Sequence, residues 1–241
     1  MPQELPKSPP DLSAGLPPPV PERLYGRRRG HKLRARQQQL LETVLPRLTI
    51  DLADPLAGLE RFAEIWLEIG AGSGEHALAQ IALHPEVAFI ASEVYLNGLS
   101  ALLGRLVPGQ AAPEQAPLPA NLRLWPNDAR LLLKALPDAA LSRLFVLFPD
   151  PWPKSRHAKR RLVHPQQIPL LARTLRPGAL WRLASDDPTY QAWVEAVMAE
   201  QNRFTLIEAT SVRPPGWPPT RYEIKALQAG RTPRYWTFQR V

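Results

Sequence analysis

Apolar residues fall into short unbroken runs separated by longer stretches with helical spacing. Residues 65–69 (Ile-Trp-Leu-Glu-Ile) are a nearly continuous apolar run ending in glycines, the pattern of a strand buried on both faces. Over residues 75–83, Leu78, Ile81 and Ala82 share one helical face, and Pro85 stops the helix. The same rules predict strands over 87–94, 122–125, 144–148, 179–184, 204–209 and 235–241. Helices are predicted between them over 95–106, 129–135, 165–175 and 189–200. Pro108, Pro113, Pro117 and Pro119 make the intervening stretch a loop. Strand–helix alternation on this scale argues an α/β fold with a doubly wound, mostly parallel sheet covered on both faces.

Two segments precede this body. Residues 1–21 hold eight prolines and little that a core could bury, so a disordered Pro-rich tail is predicted. Residues 22–48 form a basic arm leading into a short helix, since Leu40, Leu41, Val44, Leu45 and Leu48 recur at helical spacing over 37–48. Residues 49–241 then make one domain.

Composition narrows the chemistry. The 241 residues contain no cysteine, which excludes disulfides, thiolate catalysis and cysteine-bound metals. Five histidines are scattered without the spacing that puts two ligands on one helical face, so no metal site is expected. No apolar run approaches a bilayer span and no export signal is visible, so a soluble, cytoplasmic protein without membrane association is expected. The net charge of +8 is concentrated in two clusters. One runs through Arg23, Arg27, Arg28, Arg29, Lys32, Arg34 and Arg36; the other comprises Lys154, Arg156, Lys159, Arg160 and Arg161, with His157 among them. A lone charge run is usually a solvated face. Two dense clusters favour a phosphate-rich partner such as a nucleic acid.

In doubly wound sheets, ligands gather beyond the carboxyl ends of the strands. Glu68, Glu93, Asp128, Asp150 and Asp186 stand at or just after the ends of successive predicted strands. Gly70, Gly72 and Gly74 lie in a strand-to-helix turn, where a missing Cβ lets backbone approach a ligand. Their spacing departs from the dinucleotide G-x-G-x-x-G, and Glu75 opens the helix where a pyrophosphate would sit. An acidic surround disfavours NAD and suits a cationic nucleoside cofactor, S-adenosylmethionine. Glu93 fits a clamp on ribose hydroxyls. Asp128 fits an acceptor for an adenine amino group and equally a helix N-cap. Asp150 is held between Pro149 and Pro151, each of which fixes its own φ and restricts its predecessor, giving a carboxylate positioned in advance.

LEIGAGSGE, SEVY, Asn127-Asp128, LFPDPWPKSRHAKRR, LASDDPTY and TRYE together resemble the bacterial tRNA (guanine-N7-)-methyltransferases from about residue 65 to the C-terminus. The resemblance implies a Rossmann-like class I methyltransferase fold, a mostly parallel seven-stranded sheet with an antiparallel last strand. It implies methyl transfer from S-adenosyl-L-methionine to N7 of guanosine 46 in the tRNA variable loop, with residues 49–241 as the methyltransferase domain. Glu68, Gly70, Glu93, Asp128 and Asp150 would bind the cofactor, Asp150 being also the catalytic residue. Lys154, Asp186, Thr220, Arg221, Tyr222 and Glu223 would bind substrate; Arg156, His157, Ala158, Lys159, Arg160 and Arg161 would meet the RNA. Asp186-Asp187 leaves two carboxylates for one place. Glu223 or Asp186 suits the donor edge of guanine, and Trp152 is either a stacking platform or a packed rim residue. The alternatives are another RNA substrate, or a non-catalytic RNA-binding module on the same scaffold. Nothing in the sequence favours a monomer over a homodimer.

Overall fold

The computed structural model describes residues 26–109 and 112–241, so the expected tail over 1–21 lies outside the described residues. Among the described residues, seven strands, β1 (Ile65–Ile69), β2 (Ala88–Ser92), β3 (Leu122–Trp125), β4 (Leu141–Leu147), β5 (Leu175–Ser185), β6 (Phe204–Thr210) and β7 (Arg234–Arg240), form one sheet in the order β3-β2-β1-β4-β5-β7-β6. All neighbours are parallel except β7, which runs antiparallel to both β5 and β6. This is the doubly wound sheet with a reversed last strand. The order reverses between β1 and β4, and that switch point is where a ligand cleft belongs.

Alternation along the strands builds two apolar layers. Leu67, Ile90, Leu144, Val146, Trp181 and Leu183 face α5 (Ala129–Ala135), α6 (Ile168–Thr174) and α7 (Pro188–Ala199). Trp66, Phe89, Phe145 and Leu147 face the other way, toward α1 (Ala35–Thr43), α3 (Glu75–Leu83) and α4 (Leu96–Leu106).

Differences from the predicted elements have local causes. The helix expected over 37–48 is broken into α1 and α2 (Leu45–Leu48), with Pro46 in the first turn of α2. β4 begins at Leu141, three residues early, because Ser142 and Arg143 are accommodated despite their polarity. Ser142 Oγ donates to Glu64 Oε2 at 3.1 Å, and the Arg143 guanidinium lies 4.0 Å from the Trp66 ring centroid. β5 begins at Leu175 rather than 179, with the β4–β5 register shifting between Leu141 and Arg143. The proline-rich loop contains a 3-10 turn, Pro113–Gln115, pinned by Arg47, which donates to the carbonyls of Pro113 and Ala116 at 2.9 Å each. An unpredicted helix, α8 (Arg221–Gln228), precedes β7. Among the described residues, no helix is long and apolar enough to cross a membrane.

Candidate active site

The carboxyl ends of β1, β2, β3 and β4 surround a cavity of about 420 Å³. Its floor is the turn between β1 and α3, where Gly70, Gly72 and Gly74 take φ of 84°, 56° and 76°. Gly74 has a second constraint: a Cβ there would stand 2.4 Å from Leu102 Cγ, so α4 packs directly on the turn. Glu93, immediately after β2, ties this turn to the start of α4. Its Oε2 accepts from Gly72 N at 2.6 Å and its Oε1 from Tyr95 N at 2.8 Å. Burial pushes the Glu93 carboxyl above its ordinary range, while these N–H bonds pull the other way.

Asp128 caps α5, accepting from Arg130 N at 2.9 Å, and the Arg130 guanidinium grips the same carboxylate, with Nη2 2.5 Å from Oδ2. Capping and cavity lining are thus combined in one side chain, as the sequence allowed. Asn127 Oδ1 accepts from Asp128 N at 2.9 Å and also reaches the cavity.

Asp150 projects from the loop after β4 into the same cavity. Phe148 and Trp152, two residues to either side, both adopt left-handed φ, 52° and 45°. For bulky residues this is a costly backbone, about 1 kcal/mol or more each, of the kind that persists where surrounding contacts over-determine it. One restraint is Phe148 N, which donates to Ala184 O at 2.8 Å. The other is Arg161, which donates to the carbonyls of Pro151 (3.0 Å) and Trp152 (2.9 Å). Trp152 lies under Arg160, 4.9 Å from its guanidinium, and edge-on to His157 at 5.9 Å. Its ring both borders the cavity and packs the rim.

Other sequence candidates lie around this centre. Glu68 is buried and off the cavity wall, its Oε2 3.1 Å from His76 Nδ1 but out of hydrogen-bond alignment. Asp187 caps α7 by accepting from Tyr190 N at 2.9 Å, whereas Asp186 pairs with Arg231 at 2.6 Å; neither lines the cavity. Thr220 and Glu223 form a reciprocal capping box at the start of α8, and buried Glu223 also accepts from Tyr235 Oη at 2.8 Å and pairs with Arg213 at 3.2 Å. The box holds Tyr222 at the cavity edge, its ring 3.7 Å from where a Gly72 Cβ would be. Burial, then the Glu93 and Asp150 charges, push the Tyr222 phenol up, against Arg221. Arg221 itself is exposed. Lys154 and Arg156 are exposed in and before a 3-10 turn, Ser155–Arg160, that also carries His157, Ala158 and Lys159; Lys159 and Arg160 reach the cavity.

The sequence reading anticipated an acidic surround. The cavity lining carries both signs instead: Glu93, Asp128 and Asp150 share it with Arg27, Arg130, Lys159, Arg160 and Arg161. Arg27 had no sequence signal placing it here. It arrives because the arm crosses the start of α4: Arg28 O accepts from Leu96 N at 2.9 Å, and Asn97 bonds both Gly30 N and His31 O at 2.9 Å. Arg130, two residues beyond Asp128, was legible only as part of a helix.

A seven-stranded sheet with a reversed last strand, a glycine turn and acids at the ends of consecutive strands defines a class I methyltransferase. A family model described as "Putative methyltransferase" matches residues 63–234. The chain is 59% identical over 220 residues to a tRNA (guanine-N(7)-)-methyltransferase of Granulibacter bethesdensis, covering 91% of this chain and 96% of that one. It is 46% identical over 231 residues to the protein of the same name from Rhodospirillum rubrum, covering 90% and 88%. It belongs to the tRNA (guanine-N(7)-)-methyltransferase family. Among solved structures, the 16S rRNA methyltransferase KamB shares the fold at a TM-score of 0.58 and 17% identity, covering 79% of this chain and 94% of that one. A 16S rRNA (adenine(1408)-N(1))-methyltransferase from Catenulisporales acidiphilia, solved with cosubstrate SAM, does so at 0.53 and 16%, covering 80% and 92%.

Proposed function

We propose that this chain transfers the methyl group of S-adenosyl-L-methionine to N7 of guanosine 46 in the variable loop of tRNA, in the cytoplasm. The observation that carries the reading is one cavity lined by carboxylates at the strand ends and by Lys159 and Arg160 of the basic turn. The residues fit such a donor: Glu93, Asp128 and Asp150 would give a positively charged ligand an acidic surround, and it has no phosphate to be repelled by Glu75 at the start of α3, which is paired with Arg105 at 2.7 Å. When bound, the donor supplies an electrophilic methyl carbon.

The chain's own residues then do three things. Glu93 keeps a free lone pair on each oxygen after its two N–H bonds and would hold ribose hydroxyls. Asp128, already held by the Arg130 main chain and guanidinium, borders the place for the adenine ring. Glu68 is buried beside His76 of α3, and Gly70 lines the cavity. Guanine N7 has an available lone pair, so no general base is required, and the work is alignment and electrostatics. Asp150 stabilises the positive charge that passes onto the purine. Tyr222 and Trp152 border the place where a flipped base stacks. Asp186, Glu223, Thr220, Arg221 and Lys154 form an outer ring contacting the substrate nucleotide. Arg156, His157, Ala158, Lys159 and Arg160 meet the RNA backbone.

Unmodified tRNA transcripts incubated with labelled donor, followed by chain cleavage specific for N7-methylguanosine, test this. One labelled site, in the variable loop, is expected. Label persisting when guanosine 46 is replaced would overturn the position, and no label on any tRNA would overturn the activity.

A further inference from the structure

Arg161 closes the cationic run from Lys154, and the resemblance and its charge assign it to the RNA with its neighbours. Its surroundings differ from theirs. It is 5% exposed, whereas Lys154, Arg156 and Lys159 are open to solvent. Its guanidinium spans two main-chain oxygens, those of Pro151 and Trp152, and lies 4.8 Å from the ring centroid of Trp193 on α7. Burial pulls its guanidinium below the ordinary value, and the carboxylate of Asp187, at the start of the same helix, is near enough to favour its charge against that cost. A cation is therefore buried in order to hold two carbonyls of the loop that carries Asp150.

The need for such a hold is visible in the backbone. Left-handed φ at Phe148 and at Trp152 brackets the Pro149-Asp150-Pro151 segment. The first is restrained through the sheet by Phe148 N on Ala184 O. The second lies beyond β4, outside any ladder, and the Arg161 fork grips its carbonyl. Rotating Trp152 out of the left-handed region would swing Pro151 and change where Asp150 points. A lysine cannot substitute, because one ammonium on a flexible stem does not reproduce a rigid fork across two acceptors.

We infer that Arg161 is a positioning residue: it fixes the Asp150 carboxylate by holding the carbonyls of the loop that carries it, and makes no contact with RNA. The inference rests on the proposed role of Asp150, and the test separates the two. In the full chain, Arg161→Lys is compared with Lys159→Ala. Arg161→Lys is expected to lower turnover of unmodified tRNA at least tenfold while leaving donor affinity, and the slope of log tRNA affinity against log salt, unchanged. Lys159→Ala is expected to reduce that slope by about one. Added guanidinium is expected to restore part of the turnover of Arg161→Ala, a rescue that general destabilisation would not show. If that variant lacks a melting transition, the lysine variant carries the test alone. Trypsin cleavage after Lys154 and Arg156, well below the melting temperature, reads the loop without any activity and is expected to be about tenfold faster in Arg161→Lys. Unaltered turnover with unaltered cleavage overturns the inference, as does a salt slope reduced by about one. A wild-type chain inactive on every tRNA overturns the proposed function, and cleavage then decides the role of Arg161.

Discussion

The two sides of the cavity are built by different means. On the strand side, Glu93 and Asp128 each accept main-chain N–H groups from the turns they adjoin, so forming the sheet and its helices also sets the acids. On the loop side, Asp150 belongs to a segment with two strained residues, and an arginine from beyond the next turn holds it. The first side is fixed by local geometry, the second by a long side chain packed under it. The strand side should therefore govern donor binding and stability, and the loop side turnover and RNA affinity.

Asp150→Asn gives the largest expected effect and the sharpest challenge to that division. The amide keeps the shape of the loop while removing the charge, so turnover should fall roughly a hundredfold or more with donor affinity little changed. Single-turnover rates and donor titration by calorimetry measure the two separately; equal losses would place Asp150 with the binding acids and erase the contrast. Gly74→Ala attacks the other side. A Cβ 2.4 Å from Leu102 Cγ, at a φ of 76°, forces either the turn or α4 to move. A loss of about 2 kcal/mol in stability is expected, with weakened donor binding, on the scale of one strained non-glycine residue. Denaturant unfolding with and without donor checks it, and an unchanged midpoint would mean that the turn is softer than its contacts imply.

These two sides were not equally legible in the sequence. Strands buried on both faces announce themselves, which is why β1 and β3 were predicted to the residue and the ends of the sheet within a few. Glu93, Asp128 and Asp150 followed from strand ends alone. The start of β4 was hidden by Ser142 and Arg143, whose polar atoms are satisfied by partners far along the chain. α8 was hidden because Tyr222, Ile224 and Leu227 are exposed, leaving no buried stripe for periodicity to reveal. Charge counting gave no hint that Arg161 would be buried on main-chain carbonyls or that Arg27 would fold back to the cavity. Long side chains and crossing arms make contacts that sequence spacing does not encode.

The smallest effect tests whether the loop side is supported from behind. His164 is buried against Trp193, with ring centroids 6.0 Å apart, and its Nδ1 accepts from Gln166 N at 3.3 Å. Burial first, and the Arg161 charge second, hold its imidazole below the ordinary value of 6.5. The folded chain thus resists a proton that the unfolded chain accepts. The stability from a neutral His164 is complete above pH 6.5 and declines as pH falls through the depressed folded value, by no more than about 1.4 kcal/mol per pH unit. Charging it would also set a second cation near Arg161, loosening the support behind Asp150. Melting temperature and turnover should therefore fall together in mild acid, and His164→Gln, which cannot be charged, should flatten both profiles. A glutamine variant whose acid-side profiles match the wild type would remove His164 from the support and leave Arg161 and Trp193 to act alone.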